Sequence, residues 1–207
     1  MTDTPLARLC AHRGVALPGD GQLLALAPVL RMRPADLLAI AGGSVPAEFV
    51  PADPDAKDVV ESLLRNQLHR ADLTAVRDHA LALPAAGGPD DLPPLEPVTF
   101  GGVFSRLMQL RNLTVKGMAY ATGSAMSTVA KARGGGVLSR ERYELMAALL
   151  CLRADDVEAM VARETPGPPP GDWVRDQIPG LRAVGALLLA LAPLRAEQIR
   201  AVSRFAG

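Results

Sequence analysis

No set of side chains in this 207-residue chain has the spacing of a catalytic or metal centre. His12, His69 and His79 fall in separate helical segments without metal-ligand spacing. Gly134-Gly135-Gly136 lacks the Lys-Ser/Thr of a phosphate loop and reads as a helix stop. Neither enzyme chemistry, a cofactor nor a metal is expected. What the residues do offer is cationic chemistry. Residues 100–142 hold seven cations (Arg106, Arg111, Lys116, Lys131, Arg133, Arg140 and Arg142) against one acid, Glu141, a net of +6. Residues 1–99 carry −5 and residues 143–207 carry −1, so a neutral whole conceals one basic stretch. Such a stretch is the footprint of a surface that meets phosphate; a solvated Arg-rich face is the bland alternative.

The basic stretch needs elements to hold it, and residues 112–136 supply two short helices about a tight turn. Thr114 can cap the first, its hydroxyl accepting an orphan backbone N–H. Met118, Ala119 and Thr122 line one face of that helix. Gly123 is the turn residue, free to take a positive φ. The second helix, 125–133, buries Val129 and Ala132 at i, i+3 spacing and turns Met126, Ser127, Ala130 and Lys131 outward. This is a helix-turn-helix pattern. Ahead of it, residues 100–111 carry Val103, Phe104, Leu107 and Leu110 at helical spacing. Behind it, Ser139 can cap a helix with Leu145, Met146, Leu149 and Leu150 inward. Residues 154–161 supply a last helix with Val157 and Met160 or Val161 inward.

Five short helices, with the motif at the second and third, resemble the XRE-type, lambda-repressor-like DNA-binding domain. The residues that carry the resemblance are Leu113-Thr114, Ala119, Thr122-Gly123, Ser127-Thr128-Val129 and Gly135, within a match over 100–163. The resemblance implies that helix 125–133 enters the major groove of double-stranded DNA. Met126, Ser127 and Lys131 then face bases: Lys131 can donate to guanine O6/N7, Ser127 is permissive, and Met126 offers apolar contact to a thymine methyl. Thr128, Arg106, Lys116, Arg133, Arg140 and Arg142 are the candidates for the sugar-phosphate backbone. The chain departs from the family at five places. Val115 stands where a phosphate-clamping Gln is common. Ser124 replaces a buried aliphatic and Ala125 a capping residue, so Ser124 is a candidate cap. Gly117 replaces a helix former, and Arg133 an acid.

Elsewhere the chain repeats itself. Leu6-Ala7-Arg8-Leu9 matches Phe104-Ser105-Arg106-Leu107, and Arg13-Gly14 matches Arg111-Asn112, at an offset of 98. Residues 30–37 match 150–157 at an offset of 120. The difference is the length of the two motif helices. Residues 1–44 therefore read as a truncated copy without the helix-turn-helix, fit for packing or dimerisation rather than base reading. The helical hairpin 56–84 is matched by 173–207, with Leu73 and Val76 aligned to Ile199 and Val202 at an offset of 126. Residues 85–98 read as a linker, 99–164 as the XRE-type domain, and 165–172 as an extended Pro-rich linker. The inward side of the first hairpin is expected to include Val60, Leu63, Leu64, Leu68, Leu73, Val76 and Leu81.

Aromatics are 3% and apolar residues 49%, so the core must be Leu, Ala, Val and Met, which suits an all-α fold. The Arg, Ala, Gly and Pro bias fits a GC-rich bacterial genome. Cys10 and Cys151 are expected as buried thiols, and Trp173 as an anchor for the Pro-rich linker. No leader or membrane span is read, so a cytoplasmic protein is expected, nucleoid-associated when on DNA. The reading that results is a dimeric transcriptional regulator. The alternative is a protein-interaction or assembly module that keeps the fold without base readout.

Overall fold

The computed structural model describes residues 3–19, 21–66, 72–161 and 170–206. The described residues are all-α, with an isolated bridge between Val45 and Leu92. The first half holds α1 (Pro5–His12), α2 (Leu26–Leu30), α3 (Pro34–Ala41), α4 (Lys57–Asn66) and α5 (Leu73–Leu81). The second half holds α6 (Phe100–Gln109), α7 (Val115–Thr122), α8 (Met126–Arg133), α9 (Arg140–Leu149), α10 (Ala154–Met160), α11 (Asp172–Leu191) and α12 (Ala196–Ala206). No helix among the described residues is long and apolar enough to cross a membrane.

The ends of these helices follow from single residues. Pro34 opens α3, and Gly42 closes it at φ 72°. Thr114 caps α7 by accepting from the Gly117 N–H at 2.8 Å. Gly123 ends α7 at φ 59°, a left-handed conformation that favours glycine. Neither Ser124 nor Ser139 makes the cap expected of it. Ala125 is the N-cap of α8 and makes no side-chain bond, and Ser139 makes none at the start of α9. The Ser124 hydroxyl is instead engaged by Thr122 at 2.9 Å and by Arg142 at 3.3 Å.

The two halves pair reciprocally. Helix α1 packs on α10, and α3 packs on α6. Across these contacts Arg13 donates to both Asp156 carboxylate oxygens, at 2.6 and 2.9 Å. Arg111 donates to both Asp36 oxygens, at 2.8 and 2.9 Å. Each guanidinium also reaches a carbonyl of its own half, Leu30 for Arg13 and Leu150 for Arg111. Arg13 and Arg111 are 98 positions apart; Asp36 and Asp156, like Leu30 and Leu150, are 120 apart. Backbone conformation repeats at the same offsets. Gly14 and Asn112 have φ of 63° and 50°, and Arg31 and Cys151 have φ of 53° and 55°.

The hairpins extend the arrangement. Helix α11 packs on α5 and on α9, and α12 packs on α4 and α5. One continuous core runs through both halves, from Leu9 and Leu37 to Ile199 and Val202. The apolar run of the second hairpin, whose sequence allows burial either against the other half of this chain or, as a dimerisation element, against a second chain, has Leu187, Leu188 and Leu191 buried within this chain. The close crossing of α11 over α9 depends on Gly185: a Cβ there would lie 2.3 Å from the Leu149 carbonyl oxygen.

Several local expectations are corrected. Residues 85–98 do not run free, since Leu92 bridges Val45, Leu95 N–H donates to the Gly42 carbonyl, and Asp91 accepts from the Ala47 N–H. In α5, Ala80 rather than Leu81 is buried, because a small side chain fits the tight side of the helix. Cys10 is buried, but Cys151 is exposed at the positive-φ end of α9. Trp173 lies in the first turn of α11 with 48% of its surface exposed and its ring beside Gly171, while most of the linker it was expected to anchor lies outside the described residues. Helix α11 absorbs Pro179, which sits on its solvent side. His69, Leu68 and most of the Pro-rich stretch lie outside the described residues.

Candidate nucleic-acid interface

Helix α8 is held from beneath by two fully buried side chains, Val129 and Ala132. Their spacing turns the opposite side outward. Met126, Ser127, Ala130 and Lys131 are all exposed, Met126 to 56%, and Thr128 is half-buried. The three residues expected to face bases thus share one open helix face. The aliphatic stem of Lys131 lies against Gly136, where a Cβ would meet its Cγ at 2.6 Å.

The flanking cations divide into three groups. Arg106, expected at the sugar-phosphate backbone, is not on the surface. It is 7% exposed, and its Nη2 donates to the Pro93 carbonyl at 2.9 Å. Residues 85–98 fold over α6 and cover it, and burial pushes its guanidinium pKa down. Arg111, the other buried cation, is spent on Asp36. Lys116 and Arg140 are surface cations with carboxylate partners. Lys116 Nζ is 2.9 Å from Glu61, and Arg140 Nε is 3.4 Å from Glu144 and 4.0 Å from Glu158. Lys131, Arg133 and Arg142 have no carboxylate partner among the described residues. Arg133 Nε donates to the Ser105 hydroxyl at 3.2 Å, and Arg142 donates to Ser124. The +6 of the sequence therefore overstates the charge shown to solvent.

A depression of about 520 Å³ with a mixed polar and apolar lining opens beside α8, at the start of α7. It is lined by Lys57, Gln109, Asn112, Thr114, Val115 and Arg133, among others. The first turn of a helix carries N–H groups that no helical carbonyl can satisfy, together with the positive end of the dipole. Two cations at its rim make this depression suited to an anion. Glu61 reaches the adjoining corner from α4. Its carboxylate accepts from Thr114 Oγ1 at 2.7 Å and faces Lys116. The Thr114 hydroxyl, and after it Lys116, hold the Glu61 carboxyl below the usual range. Gly117 eases the approach of α4, since a Cβ there would lie 3.2 Å from the tip of Leu64, a tight contact.

Sequence reasoning missed two groups. Glu61 was not singled out, because nothing local ties residue 61 to residue 114. His12, Asp155 and Asp156 bring ligand-type atoms within 4.8 Å of one another. Both carboxylates are already engaged, Asp156 by Arg13 and Asp155 by Arg153, so the group reads as an ion-pair network.

Comparison of the chain with protein-family models, with curated proteins and with solved structures finds no match.

Proposed function

We propose that this chain is a sequence-specific DNA-binding transcriptional regulator of XRE type, which lays α8 in the major groove. The observation that carries the reading is the open face of α8, with Met126, Ser127 and Lys131 exposed opposite fully buried Val129 and Ala132. Lys131 and Ser127 are the base-reading donors and Met126 the apolar contact. Arg133, Arg142 and Thr128 flank them toward the phosphates. The halves are two copies of one unit, the first without its reading helices. The matched Arg–Asp pairs and matched positive-φ residues support this.

The copy relation bears on assembly. The surface by which a truncated copy would dimerise is occupied by the second half of the same chain. One chain therefore presents one reading helix and binds one half-site. A homodimer on a palindromic site has to form through another face.

The test is selection from random-sequence duplex DNA, with wild type and Met126→Ala/Lys131→Ala, at two salt concentrations. The expected result is an enriched motif that the double variant loses, with affinity falling steeply as salt rises. Weak binding without an enriched motif, unchanged in the variant, would sink the reading. A second reading, a protein-interaction module, is favoured by the neutralisation of Lys116 by Glu61.

A further inference from the structure

A phosphate diester and a carboxylate make the same demand on a protein: an anionic oxygen pair seeking N–H, O–H and ammonium donors. The corner at the start of α7 has such donors and already holds such an oxygen pair. Thr114 Oγ1 donates to one Glu61 oxygen at 2.7 Å, and Lys116 Nζ lies 2.9 Å from the other. The corner opens beside the depression lined by Lys57, Asn112 and Arg133. We propose that the Glu61 carboxylate is an internal stand-in for a DNA phosphate, occupying the Thr114–Lys116 corner so that DNA engages the first turn of α7 only by displacing it. This rests on the DNA-binding reading above.

The contact does not serve packing. Helix α4 is seated on the core by Val60, Leu63 and Leu64, each at most 4% exposed. Glu61 stands at the edge of that seam with 17% of its side chain exposed, and Lys116 is 45% exposed. The Glu61 side chain can therefore swing out without moving α4. A tethered competitor lowers apparent affinity by the fraction of time the corner is empty. An occupancy of about nine-tenths weakens binding about tenfold. The device grades affinity: whatever draws Glu61 away, or neutralises it, leaves the corner open to a phosphate and tightens binding.

The experiment measures binding of a fluorescent random-sequence 20-base-pair duplex between roughly 50 and 200 mM salt. It compares wild type, Glu61→Gln, Asp58→Asn and Glu61→Gln/Lys116→Ala. Gln keeps an acceptor for Thr114, and Asp58→Asn removes the same charge from an exposed site on α4. Thermal melts establish that each variant is folded. The proposal expects Glu61→Gln to bind about tenfold tighter, with the log–log salt slope of wild type, because both bind with the corner given over to phosphate. Asp58→Asn should change affinity less than about twofold, and Lys116→Ala should cancel the gain. Wild-type binding that Glu61→Gln leaves unchanged, or equal gains in Glu61→Gln and Asp58→Asn, would overturn the proposal while leaving the DNA reading intact. No binding by wild type or by folded Glu61→Gln would overturn both.

Discussion

The rings of His79 and Phe205 stack with centroids 4.3 Å apart and planes 13° from parallel. The two residues are 126 positions apart, which is the offset relating the two hairpins. Positions of α5 and α12 that the hairpin offset matches thus meet each other.

That stack is testable by a double-mutant cycle. Phe205 is 53% exposed, so its truncation removes little core. Phe205→Ala and His79→Ala should each cost about 1 kcal/mol in urea unfolding. The double variant should cost less than the sum by about 0.5 kcal/mol or more. Strict additivity would mean that the rings are neighbours without an interaction.

The Arg111–Asp36 pair should behave as a buried ion pair. Arg111 is fully buried and Asp36 is 1% exposed. Arg111→Met leaves the Asp36 carboxylate only the longer contact with Arg33, at 3.8 Å, and should cost about 3–5 kcal/mol. Arg111→Met/Asp36→Leu removes both charges and should recover most of that loss. Denaturant midpoints decide the point: a double variant as unstable as the single one would show that shape rather than charge pairing is at stake. Arg13→Met should cost less, because the Arg13 side chain keeps 19% of its exposure.

Gly185 is a second sensitive point, for steric reasons. A Cβ there would press on the Leu149 carbonyl and on Cys151 Sγ, at 2.3 and 2.7 Å. Backbone cannot yield as a side-chain tip can, so Gly185→Ala should destabilise by roughly 1–3 kcal/mol despite the better helix propensity of Ala. Gly180→Ala, on the same helix with open space around it, should stabilise slightly. Thermal melts of the two variants should move in opposite directions; a common direction would argue against so close a crossing.

Asp155 sets an acid limb. Its pKa is depressed to about 2, chiefly by the hydrogen bond from Arg153, against the opposing effect of burial. The unfolded value is about 3.9. A group depressed on folding stabilises fully above its unfolded pKa and loses that contribution as pH falls through the folded one. The loss from this residue should therefore fall between about pH 4 and pH 2. Arg153→Gln should flatten the decline of the urea midpoint across that window. An unchanged decline would place the acid sensitivity elsewhere.

Much of the fold is legible in the sequence because punctuation residues set the ends of helices. Pro34 and Gly42 bound α3, Thr114 and Gly123 bound α7, and the Val129/Ala132 spacing orients α8. The repeat offsets also point to which residues are equivalent. Which helices pair with which is not legible, because helix pairing depends on side-chain fit. Arg111 illustrates this. An arginine in a basic stretch reads as a surface cation until Asp36, 75 positions earlier, is placed beside it. Arg106 is hidden for a similar reason, by the Pro93 carbonyl of a segment without periodicity. The candidate site divides the same way. Its open face follows from local spacing, whereas the pairing of Glu61 with Thr114 spans 53 positions.

The Arg13–Asp156 bond spans 143 positions and so orders events during synthesis. Helix α1 leaves the ribosome early, but the helix it packs on is translated roughly 7–30 s later at ordinary elongation rates. Throughout that interval α1 has only α3 of its own half to pack on, so the face that meets α10 is open on the nascent chain. Stalled chains ending before residue 150 should be cut by protease within α1, and full-length chains should resist. Protection of α1 in the stalled chains would show that the N-terminal half closes without its partner.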